Sequence, residues 1–260
     1  MKTFQDLTDI VAKLRGPDGC PWDKQQTHQS LKPFLIEEAY EVLDALDETD
    51  PAKLKEELGD LLFQVVLHAQ LAKEAGNFTI DEVIETVAEK MTRRHPHVFG
   101  DANLTTPQEV LINWEQIKKE EKGGSKTSVL EGVPRQLPSL LRAHRLQEKA
   151  ARLGFDHPTV DDAFAKVQEE IGEFEVAFRQ GNAREMEEEL GDLLFTLVNM
   201  ARFLEVNPED ALGKTIVKFI SRFRYIEEKM AERGRPFNEA TLEEMDALWE
   251  EAKTVLSGNK

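Results

Sequence analysis

The sequence predicts an all-α protein made of two tandem four-helix-bundle-type domains, with the bundles completed by dimerisation. Three observations carry that prediction. No stretch shows a convincing period-two alternation, while apolar residues recur at helical spacing from end to end. Proline and glycine punctuate these stretches where helices start and stop. The octapeptide Glu56-Glu57-Leu58-Gly59-Asp60-Leu61-Leu62-Phe63 returns unchanged at 188–195, so one arrangement is written twice.

Taken in order, Phe4, Leu7, Ile10, Val11 and Leu14 predict a short amphipathic first helix, broken by Gly16-Pro17-Asp18-Gly19-Cys20-Pro21. Trp22 and Asp23 are expected in the loop that follows. Leu31–Leu46 reads as a helix rich in acids, stopped near Asp50-Pro51, and Pro51 starts the next one. Leu54, Leu58, Leu61, Leu62, Val65 and Leu71 give that helix a broad apolar face as far as Gly76. A further helix runs from about Thr79 to Arg94, and His95–Gly100 is expected to be a loop. Pro107 opens the last helix of the first half, with Val110, Leu111, Trp114 and Ile117 at helical spacing. Gly123-Gly124-Ser125-Lys126-Thr127-Ser128 reads as a linker, which Pro134 and Pro138 extend. The second half replays the first. It has a helix over about 140–153, a loop at Gly154-Phe155-Asp156, an acid-bearing helix to about Arg179 and the octapeptide helix to about Leu204. Two more helices end near Leu256. The expected boundaries are an N-terminal domain at 1–122, a linker at 123–138 and a C-terminal domain at 139–260. Wide Leu-rich stripes with few partners within each repeat are the reason for expecting a homodimer.

The 260 residues are 40% hydrophobic, enough for two medium domains. A formal net charge of −17 disfavours non-specific attraction to DNA, RNA or anionic membranes, so no nucleic-acid or membrane partner is expected. The lone Cys20 leaves no intramolecular disulfide framework and fits a reducing cytoplasm. Neither a signal-peptide core nor an apolar run of membrane-spanning length is visible, and a cytoplasmic location is expected.

The shift that superposes the octapeptides also carries Glu37, Glu38 and Glu41 onto Glu169, Glu170 and Glu173. Each half therefore has an ExxE pair and then an ExxD pair, Glu57 with Asp60 or Glu189 with Asp192. Residues three apart share a helix face, so each pair is a two-pronged carboxylate ligand. Glutamate runs on helices are ordinarily solvated surface. Here, however, Leu31, Phe34, Leu35, Val42 and Ala45 fall within about 60° of Glu38 on a helical wheel, and Ala163, Val167, Phe174 and Ala177 ring Glu170. A carboxylate inside an apolar stripe is expensive unless it is paired or coordinated, so these acids are expected to be buried. Four carboxylates with no Cys or His at matching positions suit an oxygen-preferring cation, Mg2+ first, with Mn2+ as its substitute. Di-iron bundles need Glu-x-x-His, and Glu41 and Asp60 stand where the histidines would be.

Mg2+ held by carboxylates commonly meets a phosphate substrate. Lys90 and Arg94, repeated as Lys218 and Arg222, share a helix face and are candidates to hold it, although such pairs are more often exposed solubilising residues. Trp114 and Trp249 follow in the two halves, each equally suited to stacking on a nucleoside or to filling a core. Lys166 and Glu185 border the second acid cluster. His95 and His97 fit loop packing better than a metal site, and His28, His68, His144 and His157 are scattered. Walker A and Rossmann glycine patterns are absent.

The paired acid motifs, together with Gly-Cys-Pro-Trp-Asp at 19–23 and Arg-Arg-His-Pro-His-Val-Phe at 93–99, resemble the MazG nucleoside triphosphate pyrophosphohydrolases over essentially the whole chain. The resemblance implies an all-α, Mg2+-dependent, dimeric enzyme that converts nucleoside triphosphates to monophosphates and pyrophosphate. It implies that Glu170, Glu173, Glu189 and Asp192 hold the metal, that Lys218 and Arg222 hold the triphosphate, and that Trp249 contacts the nucleoside. Lys166 and Glu185 are secondary candidates for nucleotide contact, and Glu169 is a candidate to orient the attacking water. Tandem members keep their principal site in the C-terminal copy. Glu38, Glu41, Glu57 and Asp60 are nonetheless intact as a second metal site. A dUTP-type or phosphoribosyl-ATP pyrophosphohydrolase, and a non-catalytic nucleotide-binding regulator, share the same layout.

Overall fold

The computed structural model of the chain describes residues 2–121 and 128–257, so position 122 and positions 123–127 of the expected linker lie outside the described residues. Among the described residues the regular structure is entirely helical. Two compact units divide the chain at Gly124, Met1–Gly124 and Ser125–Lys260.

In unit 1, α1 (Phe4–Arg15) starts at a capping box, Thr3 and Asp6 each satisfying the other's backbone N–H. Next come α2 (Pro21–Gln25), α3 (Lys32–Glu48), α4 (Pro51–Glu74), α5 (Ile80–Arg94), α6 (Pro96–Phe99) and α7 (Pro107–Glu121). Two of these correct the expected loops. Trp22 and Asp23 lie in α2, and His97 to Phe99 lie in α6. In both places a proline at the first helical position fixes φ near its helical value and lacks only an N–H that would have no partner there. His95 caps α6, and its ring Nδ1 lies 2.7 Å from the Met91 carbonyl oxygen, which ties the turn back onto α5. α3 and α1 both pack on α4. Val11, Leu31, Val66 and Leu67 are buried at their meeting point, with Leu7, Phe34, Phe63 and Leu71 around them. Each such side chain contributes about 1.5–3 kcal/mol by leaving water.

Unit 2 contains α8 (Ser139–Ala151), α9 (Val160–Gln180), α10 (Ala183–Phe203), α11 (Pro208–Glu232) and α12 (Leu242–Ser257). α9 and α10 form its most intimate helix pair, joined at Gly181-Asn182. Gly181 has φ +70°, a left-handed value that suits glycine, and Asn182 caps α10 by accepting from Arg184 and Glu185 N–H. Ala163, Val167 and Ala177 of α9 and Val198 of α10 are buried, as the apolar ring around Glu170 led one to expect. α11 also packs on α8 and α10, and with α12 it encloses Ile226, Met230 and Leu248, against which Trp249 lies half-buried.

Candidate functional site

The α9–α10 hairpin sets the register of the acids. Glu170 and Asp192 are equally far in sequence from Gly181, and so are Glu173 and Glu189, so an antiparallel hairpin puts each pair level across its two helices. One carboxylate oxygen from each of Glu170, Glu173 and Glu189 then lies within 4.8 Å of the others. Unit 1 does the same with α3 and α4, where Thr49 holds the left-handed turn position (φ +56°) midway between Glu38 and Asp60 and between Glu41 and Glu57. Glu38, Glu41 and Glu57 form the corresponding trio within the same 4.8 Å limit. Asp60 and Asp192 stand outside these trios but close enough to act on them electrostatically. Burial, then the neighbouring charges of Glu173, Asp192 and Glu170, push the Glu189 carboxyl above its ordinary value. In unit 1 burial raises Glu38, partly offset by a hydrogen bond from Gln64 Nε2 at 3.3 Å, and raises Glu57 alongside Glu41. Mutual repulsion of this kind is what a bound cation relieves.

The expectation that all these acids are buried needs correcting. Glu170 is only 5% exposed, while Glu38, Glu57 and Glu189 are half-buried and Glu41, Glu173, Asp60 and Asp192 are exposed. A helical wheel sees the stripe on a residue's own helix, but burial depends on what the next helix covers. Every donor in both trios is a carboxylate oxygen, a set that fits a hard, oxygen-preferring divalent cation.

The two trios differ in their counter-ion. Lys166 Nζ lies 2.7 Å from Glu169 and 2.9 Å from Glu170, and these carboxylates raise its pKa. Phe34 occupies the position in unit 1 that the repeat assigns to Lys166, and there Gln64 is the neighbour that meets Glu38. Glu169, Glu173, Glu185 and Glu189 line one shallow recess on the hairpin. Glu170, Asp192 and Lys166 line a second, open cavity of ≈ 640 Å³.

That cavity is the part sequence reasoning missed. Its apolar wall comes from Leu146 and Ala150 of α8 and Phe195 of α10, and its mouth from Phe155, which is 83% exposed. Polar groups are few. Gln147 is buried with its Nε2 donating to the Phe195 carbonyl at 2.8 Å. Thr196 is buried too. Asn199 Oδ1 accepts from Arg202 at 2.9 Å, so its NH2 side is the one left for a ligand. Arg202 also pairs with Asp156, which pins the 154–157 loop over α10. A usable signal was present: Trp22-Asp23 and Phe155-Asp156 each place an aromatic and an aspartate after the first break of a repeat.

Lys218, Arg222 and Trp249 do not line this cavity. Lys218 is exposed on α11. The Arg222 guanidinium carbon sits 5.4 Å from the centroid of the Trp249 ring, which also contacts Phe219 at 5.4 Å. In unit 1, Lys118 Nζ covers the Trp114 ring at 4.4 Å and Arg94 turns instead to Glu121. His95 packs on Trp114, and His97 on His95, rather than on any acid trio.

A family profile described as the MazG nucleotide pyrophosphohydrolase domain matches twice, over residues 26–99 and 159–226. Both acid trios lie inside the matched segments, as do Lys90, Arg94, Lys218 and Arg222, while both tryptophans lie beyond them. Among relatives, the nucleoside triphosphate pyrophosphohydrolase/pyrophosphatase MazG of Thermotoga maritima is 48% identical over 96% of this chain and 95% of its own length. A nucleoside triphosphate pyrophosphohydrolase of Escherichia coli K12 is 44% identical over 97% and 98%. The uncharacterized protein YabN of Bacillus subtilis is 51% identical over 96% of this chain, which spans 51% of that relative.

Proposed function

The chain belongs to the MazG nucleotide pyrophosphohydrolase family, as two tandem copies of its domain, and from that premise we propose that it hydrolyses nucleoside triphosphates. Cleavage falls between the α and β phosphates, water entering and nucleoside monophosphate and pyrophosphate leaving, in the service of nucleotide-pool house-cleaning in the cytoplasm. The observation that carries this reading is the cavity of unit 2, with carboxylates and Lys166 at one end and an apolar, aromatic-rimmed chamber at the other. A triphosphate chain with a flat base attached has that division of chemistry.

Glu170, Glu173, Glu189 and Asp192 would hold Mg2+, with Mn2+ as its substitute. The cation, when bound, supplies Lewis-acid polarisation of the phosphate oxygens and makes water a better nucleophile. The chain's own residues do the rest. The base enters between Phe155, Leu146 and Ala150, where an aromatic ring offers stacking, and meets the Thr196 hydroxyl and the Asn199 NH2 group. Lys166, which holds Glu169 and Glu170 in the free protein, is placed to exchange these carboxylates for phosphate oxygens. Glu169, released in the same exchange, orients the attacking water. Glu185, at the start of α10, borders the phosphate end.

Lys218, Arg222 and Trp249 contribute the triphosphate clamp from a second copy of the chain. Exposed apolar side chains along α11, among them Ile216, Val217 and Ile220, support this homodimeric arrangement. Among the described residues no helix is long and apolar enough to cross a membrane.

Products separated by chromatography after incubation with each ribo- and deoxyribonucleoside triphosphate test the reaction. Monophosphate and pyrophosphate with Mg2+, and neither with EDTA, is the expected result. Diphosphate and orthophosphate as primary products would assign the protein to another reaction class.

A further inference from the structure

The two repeats carry the same pair of cations on equivalent helices, but their arginines are in different states. Arg94 Nη2 donates to Glu121 Oε2 at 2.6 Å, and its Nε is 3.2 Å from both carboxylate oxygens. Arg93 adds a donation from Nε to Glu121 Oε1 at 2.8 Å. The Arg94 and Glu121 side chains are shielded, at 14% and 17% exposure. Hydrogen bonds from Arg94, then from Arg93, outweigh burial and hold the Glu121 carboxyl down at about 2, so it is an anion at any working pH. In unit 2, Arg222 meets only the face of Trp249, and among the described residues no carboxylate pairs with it. Counted from the arginine of each repeat, the position of Glu121 is taken by Trp249, which has no charge to offer.

We propose that the N-terminal repeat contains a latent polyphosphate-binding site that Glu121 keeps closed, its carboxylate occupying the guanidinium fork of Arg94 where a phosphate would sit. Carboxylate and phosphate compete for the same planar array of N–H donors, and a tethered, shielded carboxylate competes at a concentration no free ligand matches. Removing its charge frees Arg93 and Arg94 from their ion pair beside an open recess lined by Arg93, Ile117, Glu120 and Glu121, through which an anion can reach them; Glu120 there accepts from Gln116 Nε2 at 3.2 Å. Glu38, Glu41 and Glu57 thus remain able to take a cation while the repeat refuses the triphosphate. The proposal rests on the reading of Lys218 and Arg222 as the triphosphate clamp of the C-terminal repeat.

The test is calorimetric titration of inorganic tripolyphosphate into the full chain with Mg2+ present. The parent binds one tripolyphosphate per chain, and Lys218→Ala/Arg222→Ala loses it. If that loss does not occur, the clamp reading is wrong and the latent site falls with it. In the Lys218→Ala/Arg222→Ala background, Glu121→Gln is expected to restore one site, at least about tenfold tighter than any residual binding, the scale on which a charge-assisted hydrogen bond acts. Adding Arg94→Ala removes it again. Glu121→Ala is a second route to the same gain, and failure of both Glu121 variants, with the clamp loss intact, overturns the closed site alone.

Discussion

Glu170 is the acid whose surroundings differ most between the two repeats. It is buried, ringed by Ala163 and Val167, and held by Lys166, whereas Glu38 is half-buried beside Gln64. In the proposed function, a lysine already seated among the acids is the cation the C-terminal trio can hand over to phosphate, and Phe34 at the matching position leaves the N-terminal trio without it. Glu189 and Asp192 have no such partner among the described residues. Glu189→Gln or Asp192→Asn, each removing one anionic donor, should cut Mg2+-dependent pyrophosphate release by at least about 100-fold, with unchanged helicity by circular dichroism. Parental turnover in either variant would show the wrong residues have been chosen. At this scale the sequence was legible where chemistry repeats, since duplication together with three-residue spacing on an apolar stripe singled out the eight acids. Their depth was not legible, because Glu41 and Glu173 lie at the rim of stripes that the facing helix does not cover.

Elements translate those residues into a site through two short turns. The acids face each other because each hairpin reverses midway between the ExxE and ExxD pairs, at Thr49 in one unit and Gly181 in the other. Both positions are left-handed, which glycine accepts freely and a β-branched residue does not. Gly181→Ala should therefore lower stability by about 1 kcal/mol, and Thr49→Gly should stabilise by up to about 1 kcal/mol once relief of strain is set against the added freedom of the unfolded chain. Urea denaturation measures both, and a stabilising Gly181→Ala would contradict the assigned turn. Helix positions were readable from apolar period and from Asp50-Pro51, Thr79 and Pro107. The α2 and α6 turns were not, because their prolines look like breakers until one asks which N–H groups lack partners. The cavity escaped notice for a different reason. Its wall combines α8, the 154–157 loop and α10, and no single stretch of sequence displays a surface made by three.

For the whole molecule, duplication has produced two units with one carboxylate scaffold and divergent surroundings. Unit 2 has Lys166, an open cavity beside its acids and, among the described residues, no carboxylate on Arg222. Unit 1 has Phe34 in the lysine position and its arginine engaged by Glu121. We therefore propose that chemistry belongs to the C-terminal repeat and that the N-terminal acids form a cation site of structural or weaker function. Pyrophosphate release from the full chain, with Glu38→Gln/Glu41→Gln compared against Glu170→Gln/Glu173→Gln at matched helicity, tests that assignment most directly. Nearly complete loss in the Glu170→Gln/Glu173→Gln protein and near-parental turnover in the other is the expected result. Loss confined to Glu38→Gln/Glu41→Gln, or an equal halving in both, would contradict it.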